Sequence, residues 1–136
     1  MKKLKGKTVS PLGKVRGEAL VTDSLVAFWG GTSWETGEIV EVNHPLKGKN
    51  IRDKILVFPF GKGGSGETFG FYYLCKNGNA PKAMICNEAQ PTTVAGALLC
   101  DVPMIYGFEE DVLESVSDGD EIEVDSDDGL VKVFRK

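Results

Sequence analysis

Residues 54–67 read KILVFPFGKGGSGE, and the fold prediction starts from this segment. Residues 54–59 form a short apolar run, which is typical of a strand buried on both faces of a sheet. Four glycines follow within residues 61–66. Residues 65–76 have aromatic side chains at three- and four-residue spacing, which predicts a helix that ends at Asn77-Gly78. The segment therefore predicts a buried strand that leads through a glycine-rich loop into a helix.

Strand and helix patterns alternate further along the chain. Residues 81–86 and 103–107 are apolar runs that predict two more buried strands, with a short helix between them over residues 92–100. Residues 109–116 predict a small helix, and residues 121–124 and 130–134 predict a hairpin with one solvated face. Residues 18–22 and 25–29 are predicted as strands that end at Gly30-Gly31. Because strands that alternate with helices favour parallel pairing, the predicted class is α/β, with a mixed sheet and a C-terminal β-hairpin.

The length of 136 residues predicts a single domain over residues 1–136, since domains most often have about 100–150 residues. No apolar run approaches the roughly 20 residues of a membrane helix, and no apolar signal segment follows the basic start. The three cysteines, Cys75, Cys86 and Cys100, fit neither a disulfide framework nor a CxxC metal site. We therefore expect a cytoplasmic protein whose own chain holds no metal.

Charge is distributed unevenly along the chain. The first sixteen residues contain six Lys or Arg and no acid, whereas residues 109–128 contain eleven acids and no base. A basic segment of this kind suits nucleic acid, but it lacks interleaved aromatic residues and the net charge of the chain is −4. Nucleic-acid binding is therefore disfavoured, and the two segments are interpreted as a solvated tail and a solvated acidic face.

The glycine-rich loop, residues 61–66, is the strongest candidate for a ligand site. Where a strand leads into a helix, free backbone N–H groups and the positive helix end meet, and glycines let an anion approach closely. Ser65 is a candidate N-cap, and Lys62 is a candidate partner for a carboxylate or phosphate. A flexible turn with an ordinary capping serine explains the same residues, so both interpretations stay open.

Other residues that could carry chemistry are weaker candidates. His44, the one histidine, lies beside a proline in a predicted loop and is interpreted as structural. Trp29 and Trp34 flank a loop that could line a cleft, although Trp29 is predicted to lie in the core. The cysteines lie in apolar runs and are interpreted as small hydrophobic residues. The chain therefore predicts part of an active site and not a complete one.

Several short motifs occur in order along most of the chain. They are GEALV (17–21), FWGG (28–31), ETGEI (35–39), HPLKG (44–48), ILVFP (55–59), GKG (61–63) and KNGNAPKA (76–83). Together they resemble the small subunit of the aconitase X family. The resemblance implies a compact swivelling β/β/α domain similar to the mobile domain of aconitase.

The resemblance also implies a function. The family includes phosphomevalonate dehydratase, of the mevalonate pathway of isoprenoid biosynthesis, and cis-3-hydroxyproline dehydratase. The chain is thus expected to be the small subunit of a hydro-lyase that dehydrates a small anionic hydroxy acid and is inactive without its large subunit. The resemblance places an iron–sulfur cluster on that large subunit and a serine base in the glycine-rich loop. Ser65 is the candidate base, and the candidate substrate-binding residues are Gly61, Lys62, Gly63 and Gly64.

The loop departs from the pattern of the family at two places. Family members usually have the serine at the position that Gly64 occupies here. Either Ser65 takes the role after a shift of one residue, or the chain has lost the usual base. The family's Gly-Gly-x-Asp reads Gly-Gly-Thr-Ser at residues 30–33. Three alternatives stay open: phosphomevalonate, cis-3-hydroxyproline or another hydroxy acid as substrate. A non-catalytic module that binds anions and keeps the same fold is a further alternative.

Overall fold

The structure, a computed structural model, describes residues 1–134, which contain eight strands and three helices. In chain order they are β1 (Lys2–Lys5), β2 (Lys7–Thr8), β3 (Lys14–Val21), β4 (Ile55–Phe58), α1 (Gly66–Lys76), β5 (Ala83–Cys86), α2 (Pro91–Cys100), β6 (Met104–Tyr106), α3 (Val112–Ser115), β7 (Glu121–Asp125) and β8 (Leu130–Phe134). The strands form one sheet in the order β1-β8-β7-β3-β4-β5-β6-β2. The predicted α/β class and mixed sheet are therefore confirmed.

The centre of the sheet is parallel, as the alternation of strands and helices predicts. Strand β4 pairs in parallel with β3 and β5, and β5 pairs in parallel with β6. All residues of β4 and β5 are buried. Successive side chains point to opposite faces of a strand, so Leu56 and Phe58 belong to one hydrophobic cluster and Ile55 and Val57 to another. The central sheet is thus covered on both faces.

The two faces of the sheet have different covers. Helices α1 and α2 pack together, and Phe71 and Leu74 of α1 contribute to the cluster that contains Phe58. The other cluster contains Leu4 of β1, Ile122 of β7 and further side chains of β7, β8 and α3. The predicted hairpin of β7 and β8 is confirmed. This arrangement is the β/β/α layering that the family resemblance implies.

The amino-terminal segment is a paired part of the sheet, so the prediction of a solvated tail is wrong. Strand β1 pairs with β8, and β2 pairs with β6, both in antiparallel register. Leu4 is fully buried between exposed lysines. The acidic segment is also less solvated than predicted, because Asp120 and Asp125 are buried. Asp120 accepts the N–H of Ser117 at 2.9 Å, which holds the turn before β7.

Two predicted elements differ in extent. Residues 25–29 form no strand, and only Val26 makes an isolated parallel bridge, to Gly61. The predicted helix over residues 109–116 is shortened to α3, because Asp111 caps it by accepting the N–H of Leu113. No helix within residues 1–134 is both long and apolar enough to cross a membrane.

Candidate functional site

The glycine-rich loop lies at the carboxyl edge of the parallel strands, immediately after β4. The loop that follows β5 meets it there, where the N–H of Asn87 donates to the carbonyl of Pro59 at 3.1 Å. Gly61 pairs with Val26, and the N–H of Lys62 donates to the Val26 carbonyl at 3.1 Å. Open α/β sheets bind ligands at this edge, because the loops after neighbouring strands converge there. The topology thus places the loop where a ligand site is expected.

Ser65 occupies the N-cap position of α1 but does not act as a capping side chain. Its backbone is right-handed helical, with φ −63° and ψ −28°, and its side chain makes no capping hydrogen bond. The prediction of a capping serine is therefore right in position and wrong in bonding. Residues 62–65 are all exposed, and the first N–H groups of a helix have no acceptor within it. The exposed hydroxyl thus lies at the positive end of α1.

Gly64 has a backbone conformation that serine rarely adopts. Its φ is +113°, and an added Cβ would meet no atom within 4 Å. The preference for glycine therefore comes from the backbone and not from crowding. The family resemblance places the usual serine at this position, where the backbone conformation disfavours serine.

Glu67 connects the start of α1 with residues 28 and 29. Its side chain is buried, and its two carboxylate oxygens accept the N–H groups of Phe28 at 2.7 Å and Trp29 at 3.1 Å. These bonds explain why residues 25–29 form no strand, since both N–H groups are taken by a side chain. Burial raises the pKa of Glu67, and the two backbone hydrogen bonds and the charge of Lys62 oppose that shift.

Aromatic side chains form a wall beside the glycine-rich loop. The Trp29 ring lies 5.1 Å from Trp34, and Trp34 lies 4.9 Å from Tyr73, measured between ring centroids. An added Cβ on Gly66 would lie 3.3 Å from the Trp29 ring, so this ring packs against the first turn of α1. Trp29 is 49% exposed, so its predicted core position is wrong. Phe69, also on α1, is exposed as well.

A second helix begins beside the same loop. Thr93, in the first turn of α2, is buried, and its Oγ1 has no hydrogen-bond partner within residues 1–134. That oxygen would lie 2.3 Å from a Cβ added at Gly61, so glycine is required there for close approach. Thr68 of α1 donates to the carbonyl of Thr92 at 2.9 Å, which holds the starts of the two helices together. The amino ends of α1 and α2 therefore flank the loop from two sides.

The three cysteines, Cys75, Cys86 and Cys100, lie in apolar surroundings. Cys86 is fully buried in β5, and burial raises its pKa to about 12. Burial also raises the pKa of Cys75, and Cys75 and Cys100 share a side-chain hydrogen bond. Within residues 1–134 no three His, Cys, Asp or Glu side chains are grouped so that they could hold a metal ion. Cys86 belongs to the hydrophobic cluster that contains Phe58, and Cys75 and Cys100 pack against that cluster, so their interpretation as small hydrophobic residues is confirmed.

His44 has the structural role that its position in a loop predicts. It is buried, and its Nδ1 accepts the N–H of Leu46 at 3.0 Å. The proton therefore belongs to Nε2, which lies 3.0 Å from the carbonyl of Leu25. Both ring nitrogens are engaged with backbone groups, so the imidazole holds the loop together.

A surface cavity of about 200 Å³ lies away from the glycine-rich loop. It is lined by residues next to the amino end of β4, among them Lys54, Glu18 and Asn50. Lys54 and Glu18 form an ion pair across it. The glycine-rich loop, at the carboxyl end of β4, is open to solvent instead. The residues at the loop therefore form one side of a site and do not enclose it.

The structure brings the sequence-predicted site residues together in one loop, as their spacing requires. It adds Glu67 and Thr93, which the sequence does not single out. A glutamate in the first turn of a helix is typically a solvated favourable charge, and only its contact with residues 28 and 29 shows that it is buried. The approach of α2 to Gly61 is likewise a long-range contact without a local signal.

Comparisons with known proteins agree on one family. The family profile described as the aconitase X swivel domain matches residues 3–133. A protein of Methanosarcina acetivorans named phosphomevalonate dehydratase small subunit is 38% identical over 133 residues, which cover 98% of this chain and 92% of that protein. A protein of the same name from Thermococcus sibiricus is 42% identical over 131 residues, which cover 96% of this chain and 98% of that one.

A solved structure has the same fold. The crystal structure of Thermococcus kodakaraensis aconitase X, in its holo-form, superposes with a TM-score of 0.92 at 36% sequence identity. The match covers 99% of this chain and 100% of that chain.

Proposed function

Because this chain belongs to the aconitase X swivel-domain family, we propose that it is the small subunit of a hydro-lyase that dehydrates phosphomevalonate. Two relatives at 38% and 42% identity carry the name of that enzyme's small subunit, and the matches cover nearly their whole length. The proposal includes a large subunit as partner, a place in the mevalonate pathway and a cytoplasmic location. The chain alone is inactive.

The observation that carries the proposal is the Ser65 hydroxyl at the start of α1, which is exposed and makes no capping hydrogen bond. Dehydration of a hydroxy acid removes a proton from the carbon next to the carboxylate and a hydroxyl from the neighbouring carbon, which leaves a C=C bond and one water. Ser65 takes the proton. A serine alkoxide requires stabilisation, and the positive end of α1 together with the Lys62 ammonium supplies it.

The remaining loop residues bind the anionic groups of the substrate. Lys62 pairs with a carboxylate or phosphate, and the backbone of Gly61, Gly63 and Gly64 allows close approach. The loop lies open on the surface beside exposed Trp29, so the rest of the enclosure comes from the large subunit. The closed complex excludes water, which strengthens the electrostatic interactions at the loop.

The family resemblance assigns the departing hydroxyl to an iron–sulfur cluster on the large subunit. Within residues 1–134 the cysteines of this chain are not grouped with other ligands so that they could hold such a cluster. In this proposal the chain therefore removes the proton and binds the anionic groups of the substrate, and it takes no part in the departure of the hydroxyl.

The test is anaerobic co-expression with the large subunit encoded in the same genome, followed by dehydration assays. The complex is expected to dehydrate phosphomevalonate, and Ser65→Ala is expected to lower kcat by at least about 100-fold while the complex still assembles. Ser117→Ala, which removes an exposed hydroxyl before β7, is the matched control and should leave kcat unchanged.

Other outcomes identify the alternatives. Turnover of cis-3-hydroxyproline in place of phosphomevalonate would show that the proposed substrate is wrong and that the proposed reaction, a dehydration, is right. Turnover that survives Ser65→Ala would reject the serine as base. A complex that binds inorganic phosphate at the loop without turning over either substrate would favour the non-catalytic anion-binding module, an alternative that Gly64 at the usual serine position suggests.

A further inference from the structure

Glu67 is a buried acid beside the proposed active site that the dehydration chemistry does not use. Its side chain is only 4% exposed, although it lies in the first turn of α1, two residues from Ser65. Both of its carboxylate oxygens are occupied by backbone donors, at 2.7 Å from the Phe28 nitrogen and 3.1 Å from the Trp29 nitrogen. This carboxylate is directed to the backbone of residues 28 and 29 and not to the exposed loop residues.

The segment that Glu67 holds is packed tightly against α1. A Cβ added at Gly70, one turn after Glu67, would lie 2.4 Å from the Phe28 carbonyl oxygen. The Trp29 ring lies over Gly66, and Trp34 Nε1 donates to the Phe28 carbonyl at 2.9 Å. The backbone at Phe28 and Trp29 is therefore hydrogen-bonded to the Glu67 carboxylate and also packs closely on α1 at Gly66 and Gly70.

We propose that Glu67 is a positioning residue that clamps the backbone of Phe28 and Trp29 to α1 and so holds the Trp29 ring as a wall beside Ser65. Charge-assisted hydrogen bonds of a buried carboxylate are stronger than neutral ones, and two of them restrict both rotation and translation of the segment. The effect on turnover rests on the proposed function, whereas the clamp itself is a property of this chain.

Two charged side chains act on Glu67 from the elements packed around it. Lys62, from the glycine-rich loop, favours the charged form, and Glu41, from the loop that follows residues 28–34, opposes it. Burial is the largest influence and raises the pKa of Glu67 above the ordinary value of 4.5. The amide protons bonded to this carboxylate should therefore report its titration.

The clamp is tested first in the unmutated chain by NMR. The amide shifts of Phe28 and Trp29 should change with pH at one common midpoint above 4.5. In Glu67→Gln one carboxylate oxygen becomes an N–H₂ donor, so one of the two amides should lose its bond and exchange at least about tenfold faster. Glu114→Gln, at an exposed acid of α3, is the control and should leave both amides unchanged. Unchanged exchange in Glu67→Gln, or amide shifts without a common midpoint, would overturn the clamp.

Kinetics of the complex with the large subunit then test the positioning role. Glu67→Gln is expected to raise KM about five- to tenfold while kcat stays within about twofold, because the wall is displaced and the base is not. In a Trp29→Ala background the same change should have no further effect, since Glu67 acts through that ring. An equal rise in KM in both backgrounds would overturn the role of Trp29. If the wild-type complex turns over no substrate, the proposed function fails and the NMR results alone decide the clamp.

Discussion

Gly70→Ala is the substitution for which the structure gives the sharpest expectation. The added Cβ would lie 2.4 Å from the carbonyl oxygen of Phe28, 2.6 Å from its carbonyl carbon and 2.9 Å from the nitrogen of Trp29. Ordinary contacts of this kind are about 3.3–3.6 Å, so α1 and residues 28–29 must separate by roughly 1 Å. All three atoms belong to the backbone, so no side-chain rotation relieves the contact.

Two opposing effects decide the size of the change. Overpacking of this kind destabilises a protein by about 1–3 kcal/mol. Alanine in a helix interior is favoured over glycine by about 1 kcal/mol, which offsets part of that loss. Because all three close atoms belong to the backbone, we expect an overpacking loss of about 2–3 kcal/mol. The free energy of unfolding should therefore fall by about 1–2 kcal/mol, and Tm should fall by roughly 3–8 °C.

Urea and thermal unfolding of the chain measure this effect. Gly63→Ala is the matched control, because a Cβ there meets no atom within 4 Å and its φ is not positive. Its stability should stay within about 0.5 kcal/mol of the wild-type value. A Gly70→Ala chain as stable as wild type, or more stable, would show that helix propensity outweighs packing and that α1 and residues 28–29 can separate at little cost.

Three further predictions concern the loop. Gly61→Ala should lower the free energy of unfolding by about 1–2 kcal/mol, because the added Cβ would clash with Thr93 Oγ1. In a Thr93→Ala background the loss should be much smaller, and an equal loss in both backgrounds would contradict this explanation. Gly64→Ser should lower the free energy of unfolding by about 1–3 kcal/mol, because serine rarely adopts the φ of +113° found there. An unchanged urea midpoint would show that the loop relaxes to another conformation. Because the folded-state pKa of Glu67 is raised above its unfolded value, its ionisation lowers stability as pH rises through the folded pKa. Wild type should gain stability relative to Glu67→Gln as pH falls from 7 towards 4.5, and a pH-independent difference would refute this.

The parts of the fold that the sequence predicts well are those with local patterns. The strand at Ile55–Phe58 and the helix after the glycine-rich loop follow from a continuous apolar run and from three- and four-residue spacing. The site loop is predictable for the same reason, since it connects two such elements. The hairpin near the carboxyl end has clear two-residue alternation and is also predicted correctly.

The parts that the sequence predicts poorly depend on distant partners. Strand β1 has one buried residue, Leu4, between lysines, and its pairing with β8 has no signal in its own four residues. The apolar residues 25–29 resemble a strand, but the Glu67 carboxylate takes two of their N–H groups. Trp29 is large and apolar, which favours the core, but its side chain is exposed in the structure.

The pairing of β1 with β8 also sets the order in which the molecule can be completed during synthesis. Lys5 of β1 donates to the carbonyl of Asp128, in the turn that leads into β8, 123 positions later. The ribosome makes β1 long before it makes β8, so β1 has no partner strand while the middle of the chain folds. The three exposed lysines of β1 oppose aggregation in that interval. Their like charges disfavour pairing of an unpaired β1 with strands of neighbouring nascent chains.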